Sequence, residues 1–195
     1  MRPVSRQRAG GRTGPLVLAA AVILPAVLAA GCAQQPQPTE EDLPFEIDFP
    51  AGWETGVRAG PQFTGAYARS PSQGEDDPYV ENMAVQVLAA PTGRAGEDLP
   101  DEQIETYAKT VDDFELLERR QDKIGPDSAH VLVHTQTVPA ETEGETITVK
   151  VLLYLVPHGD RTGMITCTAL PETFEAHRPA FENAAATFRF RDEAP

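Results

Sequence analysis

Residues 44–191 are predicted to form an α+β domain, an antiparallel sheet of six or seven strands flanked by helices. Three observations predict it. Apolar and polar residues alternate through several short segments, as in strands half buried in a sheet. Clusters of Pro, Gly and Asp separate these segments. Two stretches switch to the helical period and enter late, which favours α+β over a parallel doubly wound sheet.

Phe45, Ile47 and Phe49 alternate with Glu46 and Asp48 and predict a first strand, closed by a turn at Pro50-Ala51-Gly52-Trp53. Phe63 to Arg69 is a second, weaker strand. Ser70 to Pro78 is a loop containing Glu75-Asp76-Asp77. Met83, Val85 and Val87 mark a third strand. In 101–112 the spacing changes. Ile104, Tyr107, Ala108 and Val111 fall at i, i+3, i+4 and i+7, one stripe of an amphipathic helix. Asp101 fits its N-cap, and Glu105 to Lys109 is a favourably ordered i,i+4 pair.

Phe114 to Arg119 reads as a short strand, and Val131 to Val138 as a long one turned by Pro139 to Glu145. Thr146 to Val156 returns with Ile147, Val149, Val151 and Leu153 on one face. Its other face becomes apolar at Leu152, Tyr154 and Leu155, so that end is expected to be covered on both sides. Gly159-Asp160 turns the chain into Met164 to Ala169. Phe174, Phe181, Ala185 and Phe188 mark a last helix, with Pro179 expected to open its regular part. Phe188 to Phe190 closes the domain as a short strand.

The N-terminus carries a different message. Arg2, Arg6, Arg8 and Arg12 precede an apolar run from Leu16 to Ala30, and small residues lead into Cys32. A basic start, a short apolar core and a small-residue end make a secretory signal peptide. A spanning helix needs about 20 apolar residues, and this run is nearer 15 with Pro25 inside it. Leu28-Ala29-Ala30-Gly31-Cys32 resembles a lipobox, which implies cleavage before Cys32 and acylation of its thiol, although Ala29 stands where Leu is commoner. Residues 1–31 are then the signal peptide, 32–43 a lipidated tether and 44–191 the folded domain. Each buried methylene contributes about 0.8 kcal/mol to membrane binding, and firm anchoring takes two acyl chains or one chain with a basic patch. A diacylated Cys32 supplies both chains. The expected location is the extracytoplasmic face of a membrane. Extended, the 11 residues 33–43 reach roughly 35 Å.

Removing residues 1–31 takes four arginines and leaves 12 basic and 30 acidic residues, a formal charge of −18. Binding nucleic acid relies on Lys and Arg at phosphates, so nucleic acid is excluded as a partner. The acidity reads first as a solvating coat that keeps neighbours apart; the functional alternative is a cationic partner, such as a basic protein, a polyamine-like ligand or weakly held divalent cations. With Cys32 used by the anchor, Cys167 is left alone and the fold must stand without an intramolecular disulfide.

Candidates for chemistry are few. His130 and His134 share one face of a strand. At about 3.3 Å per residue they stand roughly 13 Å apart, too far to share one metal ion, and they read as exposed strand histidines. His158 adjoins the Gly159-Asp160 turn and His177 precedes Pro179, neither with a nucleophile nearby in sequence. Glu75-Asp76-Asp77 lacks the spacing of a dedicated calcium loop. Cys167 reads as a buried small hydrophobe, and Trp53 as a structural plug. No nucleophile-elbow, zinc-protease, P-loop or Cys-x-x-Cys motif occurs. No catalytic, metal or cofactor residue is therefore assigned.

Phe45-Glu46-Ile47-Asp48-Phe49-Pro50-Ala51-Gly52-Trp53, Glu81-Asn82-Met83-Ala84-Val85-Gln86-Val87 and Phe181 to Phe190 resemble three segments of the PsbP-like and DcrB-like superfamily, which includes actinobacterial LpqN-type lipoproteins. They match its opening strand and Pro-x-Gly-Trp turn, its Glu-Asn strand, and its closing helix with an aromatic-x-aromatic strand. The resemblance implies an antiparallel sheet flanked by helices and a binding or assembly-accessory role without catalysis. It brings no shared catalytic residues. The expected partner is an envelope protein with a basic surface. The alternative is an envelope hydrolase or small-ligand carrier with a cavity between sheet and helix.

Overall fold

The computed structural model describes residues 39–59, 64–71, 79–89, 98–140 and 144–191. The elements in chain order are β1 (Phe45–Glu46), β2 (Glu54–Ala59), β3 (Thr64–Arg69), β4 (Asn82–Ala89), α1 (Leu99–Thr110), β5 (Glu115–Ile124), β6 (Asp127–Pro139), β7 (Thr146–His158), β8 (Arg161–Ala169), α2 (Phe174–Ala186) and β9 (Arg189–Phe190). Seven strands form one antiparallel sheet in the order β2-β3-β4-β8-β7-β6-β5, and β1 pairs separately with β9. The architecture is α+β, with the predicted antiparallel sheet at its centre.

Strand alternation divides the core between two faces of this sheet. On one face Met83, Val85, Val131, Val133, Leu152, Tyr154, Ile165 and Cys167 pack under Phe174, Phe181 and Ala185 of α2. On the other, Leu132, Val151, Leu153, Leu155 and Met164 pack with Tyr107 of α1. The middle of β7, Val151 to Val156, is buried on both sides. Its continuous apolar run is the sequence form of a strand covered twice. Gly163 is held bare by the closing aromatics. A Cβ there would stand 2.6 Å from Phe188 Cζ.

Several boundaries differ from the sequence reading. Only Phe45 and Glu46 of the first predicted strand pair, and β2 occupies residues read as following a turn. β5 extends to Ile124, beyond the short strand expected from Phe114 to Arg119. α1 begins at Leu99 with Pro100 in its first turn, so Asp101 lies inside the helix instead of capping it. Asp101 accepts a hydrogen bond from Arg119 Nη1 at 2.5 Å, and Arg119 holds its carboxyl below the usual range. Glu105 and Lys109 pair as expected. Pro179 does not open α2 but sits within it. Phe174 and Phe181 are both fully buried and stand seven residues apart on one helix face, so the helix must span both. Thr39 and Asp42 cap a short 3-10 turn at Glu40–Asp42, and Leu43 is buried at the end of the segment read as tether.

Cys167 is free and wholly buried, and burial pushes its thiol pKa up. A maleimide should label it only after denaturant is added, and reductant should leave thermal unfolding unchanged. Rapid labelling of the folded chain would contradict this burial.

Candidate functional site

Glu81 lies just before β4 and is 3% exposed. Its Oε2 accepts a hydrogen bond from Ser70 Oγ at 2.8 Å, and its Oε1 accepts one from Thr173 Oγ1 at 2.9 Å. His177 Nε2 stands 3.4 Å from Oε1. Ser70 also gives its backbone N–H to the Glu81 carbonyl at 2.9 Å. One buried carboxylate thus ties the end of β3, the start of β4 and the first turns of α2. Beside it, Trp53 meets Phe181 edge-on, with ring centroids 5.9 Å apart, and also contacts His177. Trp53 is partly buried against the core, as a plug. These groups are committed to one another and serve architecture.

The histidines of β6 are not exposed, contrary to the sequence reading. His134 is 1% exposed and His130 is also buried. Their face is the one that α1 covers, which strand periodicity alone could not reveal. The His134 ring lies 5.2 Å from Tyr107 and 5.1 Å from Phe114 by centroid. Its Nε2 is 3.4 Å from Gln136 Oε1, and its Nδ1 has no hydrogen-bond partner. Burial lowers its pKa from an ordinary 6.5 to about 4, so the ring is neutral at pH 7. His158 Nδ1 approaches Asp127 at 3.0 Å while its ring stacks on Phe190.

A cleft of about 310 Å³ opens between β5 and α2. Arg120, Asp122, Lys123, Tyr154, Arg178 and Glu182 supply its polar lining. Arg120 donates to Glu118 at 2.8 Å, to Glu182 at 3.2 Å and to Asp122. Arg178 donates to Glu182 at 2.9 Å and to Glu118 at 3.1 Å. Burial pushes the Tyr154 hydroxyl pKa up, so this group stays protonated. The cleft can receive a small polar group. Its guanidinium groups already have carboxylate partners, however, and their arrangement fastens α2 to the edge of the sheet. Sequence reading missed this network because its members lie about 60 residues apart.

Cys32, the proposed lipidation site, and the Glu75-Asp76-Asp77 loop lie outside the described residues. Among the described residues, no group of three His, Cys, Asp or Glu side chains is placed to hold a metal ion. None of their helices is long and apolar enough to cross a membrane.

No protein-family model and no curated protein sequence matches the chain. Solved structures do resemble it. Cyanobacterial PsbP (CyanoP) from Synechocystis is 15% identical, with a TM-score of 0.54, covering 86% of this chain and 99% of its own. LpqN of Mycobacterium tuberculosis, described as involved in cell envelope biogenesis, is 11% identical with a TM-score of 0.51. That match covers 81% of this chain and 87% of LpqN. A Pseudomonas aeruginosa protein of unknown function is 16% identical with a TM-score of 0.55, covering 76% of this chain and 99% of its own. At such identities the likeness is one of fold. With the seven-stranded antiparallel sheet, the separate β1–β9 pair and the two α-helices of its described residues, this chain has the PsbP-like fold.

Proposed function

We propose that this chain is an extracytoplasmic lipoprotein, held to the membrane by acylated Cys32, whose domain at 44–191 binds and supports another envelope component without catalysis. The observation that carries the reading is the fold shared with LpqN, described as involved in cell envelope biogenesis, in a chain whose N-terminus resembles a lipoprotein signal. The filled core agrees with it, because both sheet faces are occupied by interlocking apolar side chains. The rival reading, a hydrolase or ligand carrier, would use the β5–α2 cleft. Its arginines are already engaged by Glu118, Asp122 and Glu182.

The test is Cys32→Ala followed by fractionation. The wild-type chain should sediment with membranes, and the variant should keep its signal peptide or leave the lipid-modified pool with altered mobility. Unchanged mobility and membrane retention would refute lipidation at Cys32. Crosslinking on intact cells should then capture an envelope protein with a basic surface.

A further inference from the structure

We propose that the corner where α1 meets the start of β5 is a docking surface for a cationic polypeptide segment that carries an apolar residue to cover Leu117. The proposal deepens the accessory role above and rests on it. The observation behind it is a β-bulge. Leu116 stands opposite His134 and Glu118 opposite Val133, which leaves Leu117 as an extra residue between them. In strict alternation Leu117 would oppose Val133, facing the core under α2. The bulge gives that place to Glu118, which joins the Arg120 and Arg178 network, and leaves Leu117 without a ladder partner.

Leu116 and Leu117 are 37% and 48% exposed, and they are the exposed large hydrophobic residues among those described. They adjoin each other on β5, a terminal strand of the sheet. Asp112, Asp113 and Glu115 stand exposed beside them. From Asp98 to Glu118 the chain carries eight acidic residues and one lysine, a formal charge of −7. Arg119 answers Asp101 and Lys109 answers Glu105, whereas Asp112 and Glu115 stand exposed within five residues of Leu117 along the chain. An apolar contact within an acidic rim is complementary to a basic segment with an apolar anchor. A second copy fits poorly, since a two-fold contact would bring one acidic corner against its equal.

The test uses the purified full-length chain immobilised on a biosensor and two short peptides, one alternating Lys with Leu and one alternating Lys with Ser. The Lys-Leu peptide should bind about tenfold more tightly, the scale of covering one leucine. Leu117→Ser should abolish that advantage while leaving the melting temperature unchanged. Leu117→Lys should weaken both peptides. The variant D112N/E115Q should weaken both and reduce the loss of binding between about 0.1 M and about 1 M salt. Equal binding of the two peptides, no binding of either, or an unaltered advantage in Leu117→Ser would overturn the proposal. So would a wild-type dimer in sedimentation that Leu117→Ser dissolves, because the occupant would then be a second copy. None of these results bears on fractionation of Cys32→Ala, so the two readings fail separately.

Discussion

Glu81→Ala should lower stability by about 3 kcal/mol, the scale of breaking a buried charged network from one side. The substitution strands the buried Ser70 hydroxyl, leaves the half-buried Thr173 hydroxyl with only the Leu170 carbonyl, and removes the acceptor beside His177. It also opens a void where β3, β4 and α2 meet. At 2–4 °C per kcal/mol for a domain of this size, the melting temperature should fall by roughly 10 °C. Glu81→Gln keeps the volume and one carbonyl oxygen, and should lose less. Thermal melts followed by circular dichroism measure both. A melting temperature within a degree or so of wild type for Glu81→Ala would show that the knot contributes little.

Acidification should destabilise the protein through His134. Its folded pKa, lowered to about 4 by burial, lies below the ordinary 6.5. Above about pH 6.5 the ring is neutral both folded and unfolded, and proton binding does not affect stability. Between 6.5 and 4 the unfolded chain takes up a proton that the folded chain refuses. Stability therefore falls with pH in that window, by up to about 1.4 kcal/mol per pH unit and by about 3 kcal/mol in all. Below pH 4 the folded ring also titrates and this contribution to the slope ends. Carboxylates held low by partners, such as Asp101 beside Arg119 and Glu46 beside Arg189, add their losses at the acidic end. They are exposed and screened, so their individual contributions are small. The discriminating variant is His134→Leu, which fills a similar volume and cannot be protonated. Its stability should change much less between pH 6.5 and 4.5 than wild type. Parallel profiles would place the acid sensitivity in another group.

Glu81 and His134 lie in different parts of the fold. Glu81 organises the start of α2 on one face, and His134 lies beneath α1 on the other. A loss at Glu81 should be present at every pH, whereas the His134 contribution appears only on acidification.

The sequence by itself determined the strands whose alternation is enforced by burial. Thr146 to Val156 announces β7, and Gly159-Asp160 announces the turn into β8, where Gly159 has φ of 59°. The stripe Ile104, Tyr107, Ala108 and Val111 announces α1: Ile104, Tyr107 and Val111 pack against one face, whereas Ala108 is exposed at its margin. Tertiary structure decided the rest. β2 reads Glu-Thr-Gly-Val-Arg-Ala, with only Val57 packed against the core, so backbone pairing to β3 makes it a strand without an apolar pattern. β5 loses its period at Leu117 because the bulge shifts which residues face inward. Pro179 argued for a later helix start, but burying Phe174 together with Phe181 outweighs the missing N–H. Likewise, a period of two places His130, Leu132 and His134 on one face of β6. It says nothing about what covers that face, and only the docking of α1 turned two histidines expected in solvent into interior groups.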